Sequence, residues 1–200
     1  SQLLIYRNIR ERVQKIAPFL QFDGDPYAVI DKGRVYWMMD AYTSSENYPY
    51  SQPFDDRRNY IRNSVKIVID AYSGVTTFYL ADPNDPVVTS LSRVFPGFFK
   101  ALEKMPEGLK SHIRYPEDLF MIQSNMYSLY HMTDPLMFYN KEDKWNIPQE
   151  IVGEKAENVD PYYIIMQLPE EKEPEYVLML PFTPNTKQNM IAWMCARSDG

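Results

Sequence analysis

The sequence has one cysteine, Cys195, which excludes an internal disulfide and any zinc site built from cysteines. Its two histidines, His112 and His131, are too few for an all-histidine metal centre. Its seven glycines are scattered, and neither a P-loop nor a G-x-G-x-x-G turn is spelled out. No G-x-S-x-G elbow marks a serine hydrolase. No stretch approaches the roughly 18 consecutive apolar residues of a membrane helix, so no bilayer span is expected within this chain. Positive charge is also short: 21 basic residues stand against 27 acidic ones, which argues against a nucleic-acid partner.

What the sequence does have is a globular composition, 44% hydrophobic and 24% charged over 200 residues, enough to bury a core and stay in solution. The expectation is a single soluble α+β domain over residues 1–200. The acidic excess is local. Residues 150–175 hold eight carboxylates against Lys155 and Lys172, a net −6, and leave 19 acids and 19 bases elsewhere. That run suggests a solvated rim around one apolar strand. A basic counterpart, Arg57, Arg58, Arg62 and Lys66, follows Asp55 and Asp56, and pairing with those aspartates is its expected use.

Hydrophobic periodicity orders the elements. Ile5, Ile9, Val13, Ile16 and Leu20 recur at helical spacing, with Pro18 near the end and no convincing cap upstream. Ala28–Ile30 and Val35–Tyr42 flank a turn at Asp31-Lys32-Gly33. Tyr48–Pro53 reads as a rigid loop. Val65–Tyr72 and Val75–Ala81 flank Ser73-Gly74, which as a two-residue turn sets Ile69 opposite Phe78 and Ile67 opposite Leu80. Val65, Ile67, Ile69, Phe78 and Leu80 then share one face, with Lys66, Asp70, Tyr72, Thr77 and Tyr79 on the other. Residues 85–140 read as a central helical segment. Asp85-Pro86 and Asp134-Pro135 are each a capping carboxylate followed by a proline suited to the first turn. A short helix is expected through Phe98, Phe99 and Leu102. A longer one follows Pro116, with Leu119, Ile122, Met126 and Leu129 as its apolar stripe, widened by Phe120, Tyr127 and Tyr130. Tyr162–Leu168, Tyr176–Phe182 and Met190–Ala196 return to strands. Hairpins at both ends and helices between give an α+β fold with antiparallel sheet. The Ser198-Asp199-Gly200 ending carries a hairpin signal with no strand after it, which suggests a piece of a longer chain.

Few residues assemble into chemistry. Asp23-Gly24-Asp25 opens like a calcium loop, but Ala28 and Arg34 stand where the loop needs Gly and Glu, so an Asx turn is the better reading. His131 lies three residues before Asp134, the spacing at which a carboxylate can orient an imidazole base, and this pair is the catalytic candidate. Asp134 is also wanted as a helix cap. Cys195, inside an apolar strand, reads as a buried inert thiol. Aromatic residues are plentiful, at 14% of the chain, and several fall in loops. Tyr48, Tyr50 and Trp145, with Arg57 and Arg58, form the candidate binding set for a peptide or glycan. No cofactor and no metal site is indicated.

Seven segments in order carry a family likeness: RRNYIRNSVK at Arg57–Lys66, VIDAYSG at Val68–Gly74, YPEDLF at Tyr115–Phe120, YHMTDP at Tyr130–Pro135, FYNKED at Phe138–Asp143, LPFTP at Leu180–Pro184, and NMIAW at Asn189–Trp193 running on to ARSDG at Ala196–Gly200. Through them the chain resembles uncharacterised protein family 0182, a group of bacterial multi-pass membrane proteins. Ser73 stands where the family pattern leads one to expect Asp. The resemblance implies a soluble region outside the cytoplasm, attached to a block of membrane helices in the same polypeptide at the cell membrane. It implies no activity, so no catalytic residue is carried over. The leading expectation is a non-catalytic binding module, with the membrane domain of the same polypeptide and an envelope protein or glycan as partners. The alternatives are an envelope hydrolase or metal-assisted enzyme, and a structural extension packed on its own membrane domain.

Overall fold

Two long antiparallel strands are buried on both faces along their middles, and the first half of the chain is organised around covering them. The structure, a computed structural model, describes residues 5–169 and 171–198. By their contacts the residues group into two compact units, Ser1–Pro116 and Glu117–Gly200, where the sequence reading has one domain. No helix among the described residues is long and apolar enough to cross a membrane.

In the first unit, α1 (Ile9–Ile16) precedes β1 (Gln21–Phe22), β2 (Tyr27–Asp31), β3 (Arg34–Ser45), β4 (Tyr60–Asp70) and β5 (Thr76–Leu80). Then come α2 (Pro86–Val94), β6 (Phe99–Ala101), a 3-10 turn at Leu102–Lys104, and α3 (Glu107–Lys110). The sheet runs β1-β3-β4-β5-β6, with β2 also on β3, and is antiparallel except where β6 joins β5 in parallel. One face of β3–β4, with Met39, Ala41, Val65, Ile67 and Ile69, packs with Val13 and Ala17 of α1 and Val88 of α2. On the other, Met38 and Val68 pack with Tyr27, Val29, Met105 and Leu109. That second face was expected to be polar. It holds Lys66, which lies opposite Asp40 and is ion-paired to it, both buried. Burial pushes the Asp40 carboxyl up, and the Lys66 ammonium offsets part of that rise.

The β2–β3 turn is Lys32-Gly33 with φ of 48° and 75°, the two left-handed positions of a type I′ hairpin. The β4–β5 turn departs from expectation. Asp70 and Val75 close it by a backbone bond, and the Asp70 carboxylate accepts from the N–H groups of Tyr72 and Ser73. The loop is therefore four residues long. Ile67 faces Phe78 and Val65 faces Leu80, a slip of two from the expected register. Because side chains alternate with period two, the slip leaves both faces as predicted.

Two helix readings also change. Asn8 caps α1, its side chain accepting from Arg10 and Glu11 N–H groups, so the helix begins later than its apolar spacing suggests. Phe99–Ala101 is a strand, not a helix, because Phe99 docks beside Phe78 at the sheet edge. Cap and proline at Asp85-Pro86 are as expected, and Asp85 does more than cap. Its buried carboxylate accepts from Val87 and Val88 N–H groups and from the hydroxyls of Thr43, Tyr60 and Ser64. Burial pushes that carboxyl up, but the hydrogen bonds led by Ser64, Thr43 and Tyr60 outweigh it and hold it below the usual range.

The second unit has α4 (Glu117–Tyr130), α5 (Pro135–Asn140), β7 (Trp145–Asn146), β8 (Gln149–Val152), β9 (Lys155–Asn158), β10 (Tyr162–Met166), β11 (Glu175–Pro184) and β12 (Ala192–Arg197). β11 is central, between β10 and β12, and its end pairs with β7, while β8 and β9 form a separate two-stranded ribbon. α4 buries Phe120, which the sequence set beside the apolar stripe, together with Ser124 and Ser128, while Leu119, Ile122, Met126 and Leu129 are half-buried. The serines are small enough to bring the helix close, and the Ser124 hydroxyl sits 3.9 Å from the Met194 sulfur. Cys195 on β12 is half-buried rather than buried; burial raises its thiol pKa, away from reactivity. Asp199 and Gly200, which carry the terminal turn signal, lie outside the described residues.

Two stability experiments follow from the buried carboxylates. Lys66→Met strands the Asp40 charge and is expected to cost about 3–5 kcal/mol in urea unfolding. Adding Asp40→Leu should recover most of that loss, and an equally unstable double variant would show that the pair itself is needed. Asp85→Ala is expected to cost about 2–4 kcal/mol through the lost cap and three unpaired hydroxyls. Because its folded pKa is depressed, Asp85 supplies stability above the unfolded carboxylate value of about 3.9 and loses it as pH falls through the lower folded value. The acid limb of stability against pH should therefore be shallower in Asp85→Ala.

Candidate functional site

The candidate site residues separate between the two units. Tyr48, Tyr50, Arg57 and Arg58 lie in the β3–β4 loop of the first. Asn59 pins that loop: its side chain accepts from Tyr48 N–H at 3.0 Å and donates to the carbonyls of Tyr48 and Ser51. Tyr48 stacks on Tyr60 at 4.9 Å, and Tyr50 is fully exposed in a left-handed conformation. Arg58 is ion-paired to Asp55 and lies over the Phe54 ring. Asp55 is held down to about 2, chiefly by the Arg57 and Arg58 N–H groups and then by the Arg58 side chain. The expected internal pairing of this basic run is thus present for Arg58. Asp23 accepts from the Asp25 N–H, as an Asx turn does. Among the described residues no group of three metal-ligating side chains converges.

In the second unit two candidates meet. His131, just past α4, stacks on Trp145 of β7 with ring centroids 3.7 Å apart. Its Nδ1 lies 3.2 Å from the Tyr127 carbonyl, which can only accept, so that nitrogen carries the proton. Nε2 is buried with no hydrogen-bond partner, and Asp143 approaches it at 3.7 Å. Asp134 does not orient this ring. One of its oxygens caps α5, accepting from Leu136 and Met137 N–H groups at 2.8 and 3.0 Å. Tyr127 and Phe182 complete the aromatic cluster around the indole.

Trp145 also forms part of the wall of a cleft of about 960 Å³. The cleft is built by the last turns of α4, by β7, by the β8–β9 ribbon and by the chain leaving β11. β7 is placed by pairing Asn146 with Thr183 and Trp145 with Pro184. The ribbon is closed at its base by the Val159 N–H on the Pro148 carbonyl, at 2.9 Å, and at its tip by Gly153, φ 67°. Six carboxamides line it: Asn125, Asn146, Gln149, Asn158, Asn185 and Gln188. Asn146 donates to Asn185 at 3.0 Å, and Gln149 to Asn158 at 3.4 Å. Glu150 is the one acid in the lining; Lys144 and Lys187 are its bases, and it contains no His or Cys.

Sequence reasoning named Trp145 and missed the cleft. Its ribbon strands are four residues each and carry mostly exposed polar side chains, so no alternation marks them. One signal was available, Gly153-Glu154 between QEIV and KAEN, since glycine at the first central position suits a two-residue hairpin turn.

The chain matches uncharacterised protein family UPF0182 over residues 1–200 and belongs to it. It is 61% identical to a UPF0182 protein of Desulforamulus reducens and 58% identical to one of Pelotomaculum thermopropionicum, in each case over all of this chain and 22% of the relative. A UPF0182 protein of the archaeon Methanospirillum hungatei is 51% identical over all of this chain and 23% of its own length, so relatives are not confined to bacteria. The chain spans about a fifth of the length of these relatives. No solved structure matches it.

The stacked pair gives a direct test of how Trp145 is held. His131→Ala removes one aromatic neighbour and should cost about 1 kcal/mol, read by thermal denaturation, with a red shift of the Trp145 emission isolated against a Trp37→Phe, Trp193→Phe background. An unshifted spectrum would show that the indole is fixed by Phe182 and Tyr127 alone.

Proposed function

We propose that this UPF0182 domain is a non-catalytic binding module, displayed outside the cytoplasm by a multi-pass membrane protein, and that the second unit's cleft is its binding surface. The observation that supports this most is the lining itself. Its volume lies near the upper end for ligand pockets, and it offers many hydrogen-bonding groups with no acid–base pair and no base beside a nucleophile. Glycosidase chemistry takes two carboxylates, and the lining holds Glu150 alone. Its serine, Ser128, is turned back onto the Asn125 carbonyl at 2.7 Å. The membrane and extracytoplasmic parts of the proposal rest on the family likeness.

One observation favours a second role for the same unit, packing on the remainder of its own polypeptide. α5 has no buried residue, yet Leu136, Met137, Phe138 and Tyr139 follow one another along it, and Tyr139 is 84% exposed. Ile165 on β10 is exposed as well. Relatives more than four times as long supply ample chain to cover such residues.

A thermal-shift screen of the 200-residue chain against envelope glycans, peptides, polyanions and divalent metals tests the binding role. A ligand at about 100 times its Kd adds roughly 2.7 kcal/mol, a shift of about 5 °C for a protein of this size. The expected result is a shift with one ligand class that disappears in Trp145→Ala. A flat screen on folded protein would overturn it. An alkaline phosphatase fusion at this domain in the full-length protein should be active, and an inactive fusion would place the domain in the cytoplasm.

A further inference from the structure

We infer that the cleft is built for an uncharged oligosaccharide; this rests on the cleft being the binding surface. The inference starts from the carboxamides. An amide side chain presents one acceptor oxygen and a two-proton donor nitrogen side by side, and it keeps both at every physiological pH. A sugar presents neighbouring hydroxyls, each a donor and an acceptor. The two complement each other without moving charge.

Two of the amide pairs are arranged for this. When Asn146 donates to Asn185, one proton of the first and one lone pair of the second are used. The Asn146 oxygen and the Asn185 nitrogen remain, an acceptor and a donor held in fixed relation. Gln149 and Asn158 leave the same two groups on the ribbon wall. The pairing also removes rotamer freedom before a ligand arrives, which lowers the ordering cost of binding. Besides the amides the lining includes the apolar residues Leu129, Ile147 and Ile151 and the aromatic Trp145. Sugars are amphipathic in the same pattern, with hydroxyls around their rims and C–H groups on their faces.

Charge argues against the other polymers. Glu150, Glu154 and Glu157 lie on the ribbon or in its turn, within the acidic run, and would repel a polyanion. In the lining itself Lys144 and Lys187 outnumber Glu150, which leaves no net negative charge to hold a polycation. An extended peptide is commonly held by main-chain bonds to a free sheet edge with alternating side-chain pockets. The ribbon leaves an edge of each strand unpaired, so a peptide is the competitor to test, but the lining's polar side chains are mostly amides rather than a row of apolar pockets.

The experiment is calorimetric titration of the 200-residue chain with maltohexaose, cellohexaose and chitohexaose, alongside polyphosphate and a mixed library of uncharged hexapeptides. One neutral oligosaccharide is expected to bind, with affinity changing less than about twofold between roughly 0.05 and 0.5 M salt. Asn146→Ala and Asn185→Ala should each weaken it about tenfold or more. Unchanged melting temperatures would separate that loss from misfolding, and Asn146→Gln, which keeps an amide, should recover part of it. Binding of polyphosphate or peptide at this cleft, lost in Trp145→Ala, would overturn the sugar assignment and keep the binding role. No binding by any probe would overturn both, as would binding of any probe that neither the amide substitutions nor Trp145→Ala alters.

Discussion

The Asp85 carboxylate is the constraint on which the first unit depends. It stands between β5 and α2, and its two oxygens take hydrogen bonds from the first turn of α2 and from the two central strands through Thr43, Tyr60 and Ser64. A helix cap alone would fix only where α2 begins. The added hydroxyls fix where it begins relative to β3 and β4, and so aim Val88 into the core beside Met39 and Val65. Five donors on one buried charge also account for the carboxyl staying ionised where burial alone would favour the proton.

The second unit solves a different problem. β11 carries its core, with Val177, Leu178, Leu180 and Phe182 fully buried, and the end of the same strand places the cleft through β7. Structure and candidate site are therefore continuous. Phe182, in the core, touches the Trp145 ring whose other neighbours are His131 and Tyr127. Serines at the inward positions of α4 let the helix lie close enough to contribute Asn125 and Leu129 to the same wall.

The fold was legible where one residue type has one use. Asp followed by Pro at 85–86 and 134–135 starts a helix in both places. Lys32-Gly33 turns a hairpin, and alternation assigned the faces of β4 and β5 even though the turn length was misjudged, because a slip of two preserves the face. What was hidden depended on long-range partners. Lys66 reads as a surface charge until Asp40, 26 residues earlier, is seen opposite it on a covered face. Phe99–Ala101 has no periodicity of its own and becomes a strand because β5 leaves an edge open. At the candidate site, His131 and Trp145 were each singled out, but for different purposes, and nothing in the sequence announces that they stack. The carboxamides were passed over because asparagine and glutamine in loops are commonplace; only their convergence gives them meaning.

The ribbon of β8 and β9 has a consequence for how the cleft works. It pairs with neither sheet, and a lone two-stranded ribbon is marginally stable in water. Its backbone amides are therefore expected to open and exchange with solvent more readily than those of the core around β11. On that expectation, a molecule lying against this wall of the cleft would also stabilise the ribbon. Occupancy of the cleft, if it binds as proposed, would then register in the hydrogen-exchange rates of Gln149–Val152 and Lys155–Asn158.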